Sequence, residues 1–410
     1  MELKIKSLKF GCYFTSITMS VILTLSPLLF ITFRELYGIS YSLLGLLILV
    51  NFFTQLVIDL IFSFFSHKFN ISLAVKITPV LSVIGLVIYA VWPYVFPQNV
   101  YLGLLIGTII FSAASGFSEV LTSPVFAKIP ADDPDREMSK LHSMYAWGVV
   151  FVVVFSTIFL LLAGNKNWQI LALIFTIIPL IASVLLANTA IPEIEKPENT
   201  KGALKMLKDK GVWLCIFAIF LGSAAECTMS QWGSGYLEKA LLIPKVYGDV
   251  FGVALFSVML GLGRSLYAKF GKNIGKILTF SAVGATVCYF VAAVSNNTIV
   301  GLGACALTGI CTAMLWPGNL VVASNRYPQS GVFIYAMMAA GGDLGASVGP
   351  QFIGVITDFA LKNPDIIAIA TNIGLSAEQL GMKIGMLCGM LFPLVAIPLN
   401  LYMWKSKKQS

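Results

Sequence analysis

Twelve long apolar segments, separated by short polar connections, make up most of this 410-residue chain. A bilayer core about 30 Å thick requires about 20 apolar residues in each helix that crosses it. Only 11% of the residues are charged, against about 25% in soluble domains, and the apolar runs are continuous rather than alternating, which favours helices over membrane β-strands. We therefore predict an all-α integral membrane protein. The predicted spans are residues 8–33, 40–66, 71–94, 99–127, 138–163, 168–191, 211–237, 247–268, 275–295, 298–324, 331–361 and 380–404.

The longest polar connection between two predicted spans lies near the middle of the chain, at residues 192–210. Because six spans precede it and six follow, we predict an N-terminal six-helix bundle at 1–191, a cytoplasmic linker, and a C-terminal six-helix bundle at 211–410. The second part of the linker is predicted to form a short basic helix on the membrane surface, capped at Thr200.

Two sequence similarities indicate that the halves are repeats. The tripeptide Thr-Met-Ser at 18–20 recurs at 228–230, and the layout of 119–130 in span four resembles that of 317–328 in span ten. We predict two parallel six-helix repeats with a central cavity, an arrangement that is typical of secondary transporters.

The positive charges are distributed unevenly between the connections. Twenty-one of the 27 Lys and Arg residues fall on the side that holds both termini, and six fall on the other side. Since cytoplasmic connections are enriched in Lys and Arg, we predict cytoplasmic termini for a multi-pass protein of the cell (inner) membrane. The net charge of +8 is then a topology signal and a contact with anionic lipid, not a nucleic-acid footprint. We predict a monomer in the lipid bilayer.

Sequence signals for chemistry at a metal or nucleotide are missing. All seven cysteines lie in apolar runs and none forms a CxxC pair, which predicts small buried side chains rather than disulfides or a metal site. The sequence contains no HExxH and no Walker-type GxxxxGK[ST]. We therefore predict no enzyme activity, no cofactor and no built-in ATPase.

Polar side chains at membrane depth in the first half are candidates for function, because they are costly unless they face protein or water. Asp59 ends a polar stripe of span two with Asn51 and Gln55, and it is either a coupling-ion ligand or part of a structural ion pair or gate. Glu119 shares one face of span four with hydroxyl residues, and it either binds substrate or a coupling ion or is a buried acid neutralised by a fixed partner. His142 at the entrance of span five titrates near neutrality, so it is a candidate gate residue or a helix cap.

The second half has its own substrate-binding candidates. Glu226 lies near the middle of span seven, and Trp232 follows it. A carboxylate beside an aromatic ring suits a hydroxylated ligand, whose apolar face stacks while its hydroxyls form hydrogen bonds. Trp316 and Asn319 flank the Pro-Gly pair at 317–318, which frees backbone carbonyls at membrane depth. These four side chains are predicted to contact substrate, and helix packing is the alternative.

Two further charges lie in the later spans. Arg264 in span eight stays ionised, so it needs a carboxylate or the membrane interface, and we predict a structural ion pair or gate. Asp343 lies in span eleven among Gly341, Gly345 and Gly349, whose four-residue spacing predicts a close-packing helix face. Asp343 is either a coupling-ion ligand or a structural acid.

Twelve spans, a 6+6 repeat and a central cytoplasmic loop resemble the major facilitator superfamily over essentially the whole chain. Within it the chain is similar to the fucose-permease-like branch of sugar–proton symporters. That similarity rests on Glu119, Glu226, Gln231-Trp232, Tyr236-Leu237, Gly263-Arg264 and Trp316-Pro317-Gly318-Asn319. The resemblance implies that an acid in span four serves proton coupling and sugar binding with an acid in span one. Glu119 matches the first acid, whereas span one has none, and Asp59, Glu226 or Asp343 would have to replace it.

These features together predict a secondary active transporter that works by alternating access. Its partners would be a sugar or a similar small polar solute and a proton or sodium ion in symport. Two alternatives remain open: an efflux or exchange carrier for an amphipathic organic compound, and a membrane sensor that does not transport. A cavity dominated by aromatic side chains would favour the first, and ligand binding without flux would favour the second.

Overall fold

The computed structural model describes residues 2–65, 68–130, 134–192, 206–270, 273–327 and 332–406. Within these ranges the chain is helical and contains no strand, and twelve helical segments are long and apolar enough to cross a membrane. The predictions of an all-α membrane protein and of twelve spans are therefore confirmed. The basic helix predicted at the end of the linker, with its cap at Thr200, lies outside the described residues.

The chain forms two compact units. Unit 1 contains Met1–Tyr37 and Val50–Thr200, and unit 2 contains Gly38–Leu49 and Lys201–Ser410. The boundary at 200 and 201 falls inside the predicted linker. The assignment of residues 38–49 to unit 2 has no counterpart in the sequence pattern, which treats them as the start of an ordinary span.

We number the spanning helices α1 to α12 and mark the two halves of a broken helix a and b. In the first half of the chain these are α1 Glu2–Leu28, α2 Tyr41–Phe65, α3 Ile71–Val95, α4 Val100–Ala127, α5 Pro134–Ala163, α6a Trp168–Phe175 and α6b Ile177–Ala187. A short helix, Phe30–Tyr37, lies between α1 and α2. The break in α6 follows from Pro179, which lacks the N–H that would bond the carbonyl of Phe175.

The second half has the same number of spans with more irregularities. Its helices are α7 Lys210–Ala240, α8 Leu255–Phe270, α9 Ile274–Val294, α10a Thr298–Thr312, α10b Leu315–Arg326, α11 Val332–Lys362, α12a Ala377–Gly389 and α12b Leu391–Ser406. A π-helix, Gly248–Ala254, leads into α8, and a short helix, Pro364–Asn372, separates α11 from α12. Pro317 explains the break in α10, as Pro179 does in α6.

Local capping residues determine where several helices begin. Asn70, Asn273 and Asn297 each accept a backbone N–H from the first turn of α3, α9 and α10a. Ser376 and Gln379 form a capping box at the start of α12a. Such caps satisfy N–H groups that have no partner within the helix, so these spans start close to the positions that the sequence predicts.

Glycines bring helix backbones into contact in unit 2. A Cβ atom at Gly345 would overlap the carbonyl oxygen of Phe220 on α7, and one at Gly349 would lie 2.8 Å from Ala224 O. Gly341 lies against Ile216 of the same helix. The prediction that this stripe packs closely on another helix is confirmed, and the other helix is α7.

Candidate functional site

Hydrogen bonds join α2 to α4 in unit 1. Ser112 Oγ donates to Asn51 Oδ1 over 2.7 Å, and Ser115 Oγ donates to Gln55 Oε1 over 3.0 Å. Gln55 Nε2 also donates to Asn51 Oδ1 over 2.9 Å. All four side chains are buried, and a buried network whose members satisfy one another fixes the packing of the helices that carry it. This part of the polar stripe therefore locks α2 against α4.

Asp59 and Glu119 occupy the next turn of the same two helices. Each lies four residues beyond a member of the last bonded pair, Gln55 with Ser115, so helical register makes the two acids neighbours. Asp59 is 8% exposed, whereas Glu119 is exposed. In unit 1, one of these two predicted coupling residues is therefore buried and the other is exposed.

His142, the third candidate in the first half, lies on α5. Its side chain is outside the described part of the chain, so the gate role remains a prediction.

In unit 2, Arg264 of α8 forms an ion pair with Glu226 of α7. Arg264 Nη2 donates to Glu226 Oε1 over 3.2 Å, and Arg264 Nε donates to the carbonyl oxygen of Ala313 over 3.2 Å. Ala313 lies at the break in α10, where Pro317 lacks the N–H that would bond this carbonyl. One guanidinium therefore neutralises a membrane-depth carboxylate and satisfies the carbonyl that the predicted Pro-Gly break sets free.

Both members of this ion pair keep hydrogen-bonding capacity. The Arg264 side chain is 46% exposed and the Glu226 side chain 16%, and only two of the five guanidinium N–H donors are used in these contacts. Glu226 Oε2 is buried and has no hydrogen-bond partner among the described residues. Leaving a buried carboxylate oxygen unbonded costs free energy, so a proton or a donor from a solute would be favourable at this position.

Trp316 and Asn319 lie on α10b with different surroundings. Trp316 is half-buried, and its indole packs against Gly342 of α11. Asn319 is 1% exposed and its Nδ2 donates to Leu315 O over 2.6 Å, while its Oδ1 has no partner in the described ranges. Trp316 is thus partly accessible, whereas Asn319 is held inside the bundle.

Trp232 is also held inside unit 2. It is 1% exposed, and its Nε1 donates to Pro350 O over 2.8 Å. The indole N–H is therefore used within the protein, and contact with a solute would require this bond to break. Asp343, by contrast, is half-buried on α11 beside Gly342.

The sequence-based search missed two buried acids in unit 2. Asp249, 1% exposed, accepts a hydrogen bond from Ser234 and pairs with Lys245 over 3.5 Å. Asp358, 7% exposed, accepts backbone N–H groups of Tyr41 and Ser42. Each is an acid next to a long apolar run, which is the signal that identified Glu119 as a candidate. Each also lies near the end of a predicted span, however, where an acid is expected as part of the polar connection.

A Gly-x-Ser-x-Gly sequence occurs at residues 345–349. In hydrolases this motif forms a strained turn between a strand and a helix, whereas here it lies within α11 and Ser347 Oγ donates to Leu344 O over 2.8 Å. Its two glycines face α7. The motif is therefore part of helix packing.

Replacing Arg264 by Met is expected to destabilise the protein more than replacing Arg264 by Met and Glu226 by Gln together. Removing one partner of a buried ion pair costs about 3–5 kcal/mol, and the partial exposure of Arg264 reduces this to roughly 2 kcal/mol. The second change removes the stranded charge and is expected to restore about 1 kcal/mol. Thermal unfolding of the four proteins of this cycle measures the coupling, and strictly additive effects would argue against the ion pair.

The sequence matches a known family along most of its length. The model of the family described as Major Facilitator Superfamily matches residues 10–350. Among curated proteins, no sequence matches the chain.

Several solved structures are similar to this chain in fold. A D-xylose–proton symporter is 17% identical with a TM-score of 0.70, covering 97% of this chain and 98% of that one. The nucleoside transporter NupG is 14% identical with a TM-score of 0.69, covering 97% and 99%. The E. coli fucose–proton symporter FucP is 14% identical with a TM-score of 0.61, covering 98% and 99%. At these identities the likeness shows the fold alone.

Proposed function

The chain belongs to the major facilitator superfamily, and from that premise we propose that it imports a sugar or a similar small polar solute together with a cation. The transport mode is secondary active transport by alternating access. The names of the structurally similar proteins support this choice of substrate class, because they describe symporters of xylose and fucose and a transporter of nucleosides. These solutes share several hydroxyl groups on a ring.

The observation that carries the proposal is the unsatisfied hydrogen-bonding capacity around Glu226 and Arg264. A solute hydroxyl can donate to Glu226 Oε2, which has no partner among the described residues, and accept from the spare guanidinium N–H groups of Arg264. Trp316 supplies an aromatic face on which a sugar ring can stack. We propose these three residues as the primary solute contacts, with Asn319 and Trp232 as supporting residues that position α10b and α7.

The neighbouring acids Asp59 and Glu119 supply the proposed coupling site. Two adjacent carboxylates repel each other when both are ionised, so the pair favours one bound proton or cation. Asp59 is buried and Glu119 is exposed, and we propose Glu119 as the member of the pair that takes up and releases the ion. Asp343 is a second coupling candidate, in unit 2.

The Lys and Arg distribution supports cytoplasmic termini and the inner cell membrane. We propose that the protein acts as a monomer and catalyses no covalent reaction.

Solute flux into proteoliposomes tests the proposal. We expect a labelled pentose, hexose or nucleoside to accumulate above its equilibrium ratio when an inward proton or sodium gradient is imposed. When the proton gradient and the sodium gradient are both collapsed, the solute is expected to reach its equilibrium ratio and no more. A prior screen of the same solutes for thermal stabilisation selects the ligand, because a ligand that binds the folded state raises the Tm.

Other outcomes of this experiment point to the alternatives. Counterflow of an amphipathic compound without gradient-driven accumulation would support an efflux or exchange carrier. Stabilisation by a solute that never crosses the membrane would support a sensor. Accumulation that persists after every ion gradient is collapsed would contradict symport.

A further inference from the structure

Two cysteines of unit 2 face each other across the contact between α9 and α10a. Cys288 on α9 and Cys311 on α10a are both partly buried, and both are free thiols. The two thiols form a hydrogen bond with each other, and Cys288 also forms one with the side chain of Thr308. Cys305 on α10a is fully buried instead. These contacts place the thiols of Cys288 and Cys311 side by side.

A glycine on α9 makes room for this contact. A Cβ atom at Gly284 would lie 2.8 Å from Cys311 Sγ and 3.5 Å from Cys311 Cβ. Gly284 lies one turn before Cys288, so both residues occupy the same face of α9. The Cβ atoms of a disulfide are about 3.5–4.5 Å apart. At this turn the two helices therefore approach each other as closely as a disulfide between them requires.

The apolar residues next to the two thiols are exposed. On α9, Val287 and Phe290 are 54% and 48% exposed, and on α10a, Leu307 is 48% exposed. In helices that cross a bilayer, exposed apolar side chains of this kind meet the acyl chains of the lipid. A molecule that dissolves in the hydrocarbon region can therefore reach the partly buried thiol of Cys288 beside Val287.

Cys311 also lies two residues before a carbonyl group that Arg264 binds. Arg264 Nε donates to Ala313 O over 3.2 Å, and Arg264 Nη2 donates to Glu226 Oε1. Helix α8 packs directly on this turn, because a Cβ atom at Gly263 would overlap the Cβ of Ala313. A displacement of Cys311 therefore acts on the turn that holds the guanidinium of the proposed solute site.

We propose that a quinone dissolved in the bilayer oxidises Cys288 and Cys311 to a reversible disulfide, and that this bond weakens solute binding at Glu226 and Arg264. Two S–H bonds break and one S–S bond forms, while the two protons and two electrons released convert the quinone to a hydroquinone. The bonded sulfur atoms lie about 2 Å apart, closer than hydrogen-bonded atoms, so Cys311 moves toward α9. The disulfide rests on the contacts of the thiols, whereas its effect on binding rests on the proposed function.

A count of free thiols in the full chain tests the disulfide without requiring a known solute. The protein in proteoliposomes is treated with a ubiquinone analogue whose ring is fully substituted, so that thiols cannot add to it. It is then denatured and labelled with N-ethylmaleimide. The chain has seven cysteines, and mass spectrometry is expected to find two fewer maleimide adducts after oxidation. Diamide, an azo oxidant, is expected to give the same product, and dithiothreitol is expected to restore both adducts.

Replacement of single cysteines by alanine identifies the two thiols. Cys288→Ala and Cys311→Ala are each expected to show the same number of adducts before and after oxidation, because one partner of the bond is missing. Cys305→Ala is the matched control, since it removes a fully buried cysteine of the same helix, and it is expected to lose two adducts on oxidation. Chymotryptic cleavage after Tyr289 and Leu307 separates the three cysteines, so the cross-linked peptides identify the bond directly.

Solute binding measures the effect of the disulfide on the proposed site. A solute that raises the Tm of the reduced protein is expected to need about a tenfold higher concentration for the same increase after oxidation, a factor typical of coupled sites. Cys288→Ala is expected to bind the solute equally well before and after treatment with the quinone.

Two results of the thiol count would overturn the disulfide. The first is an unchanged number of adducts after both quinone and diamide. The second is a loss of two adducts that persists in Cys288→Ala or Cys311→Ala, because other cysteines would then form the bond. If one of these variants fails to fold, the other variant and the cross-linked peptides of the natural protein decide.

The remaining outcomes separate the disulfide from its oxidant and from the proposed function. A bond that forms with diamide and not with the quinone supports the cysteine pair and rejects the quinone as its oxidant. A disulfide that leaves solute affinity unchanged supports the pair and rejects its control of the site. A disulfide in a protein that binds none of the tested solutes supports the pair and contradicts the proposed transport function.

Discussion

Replacing Glu119 by Gln is expected to abolish solute accumulation driven by a proton gradient. Gln has nearly the shape of Glu but takes up no proton at neutral pH, so the pair with Asp59 loses its accessible titrating member. For a neutral solute moved with one proton, a gradient of one pH unit corresponds to about 1.4 kcal/mol and supports about tenfold accumulation. The variant is expected to reach only the equilibrium ratio, measured as retained label in proteoliposomes.

Two further variants sharpen this test. Glu35→Gln removes an exposed acid from the short helix Phe30–Tyr37 and is expected to accumulate solute as the natural protein does. Asp59→Asn is expected to reduce accumulation as well, because it removes the neighbouring charge that favours a bound cation on Glu119. Undiminished accumulation by Glu119→Gln would move the coupling role to unit 2, where Asp343 and Glu226 would be tested next.

Replacing Gly345 by Val is expected to destabilise unit 2 markedly. A Cβ atom at this position overlaps the backbone oxygen of Phe220, and a backbone atom cannot move aside as a flexible side chain does. Overpacking of a core costs about 1–3 kcal/mol, which lowers the Tm by roughly 5–10 °C. The measurement is the thermal unfolding and the yield of monodisperse protein after detergent extraction.

The same substitution at open positions tests whether the loss of stability comes from the contact with α7 or from valine itself. Gly261→Val and Gly303→Val place the same side chain on α8 and α10a, at positions where nothing lies within 4 Å of the new Cβ. Both are expected to stay close to the natural Tm. Equal losses in all three variants would show that valine itself, and not the contact with α7, is responsible.

Several parts of the candidate site could be read from the sequence. Asp59 and Glu119 stand out because placing an acid in an apolar run costs free energy. The Pro-Gly pair after Trp316 predicted a break in α10. The close packing of Gly341, Gly345 and Gly349 also followed from their spacing. What the sequence could not provide was the partner of each residue, such as Glu226 and Ala313 for Arg264.

The buried acids near the ends of spans are also residues whose partners could not be read from the sequence. Asp249 and Asp358 are no less buried than Asp59, yet hydropathy places them at the edge of a connection, where a charge is ordinary. The function of Asp358 as a cap appears only when α11 and the start of α2 are seen side by side.

The amino-acid sequence alone determined that this chain forms twelve membrane-spanning helices. In a bilayer every backbone polar group must be bonded internally, and a continuous apolar run satisfies that requirement only as a helix. The tertiary structure decided which polar groups meet, because the rotation and depth of one helix against another depend on packing between residues far apart in the chain. For this reason the guanidinium of Arg264 bridges α7 and α10, the indole N–H of Trp232 bonds Pro350, and the first residues of α2 are held by Asp358 in unit 2.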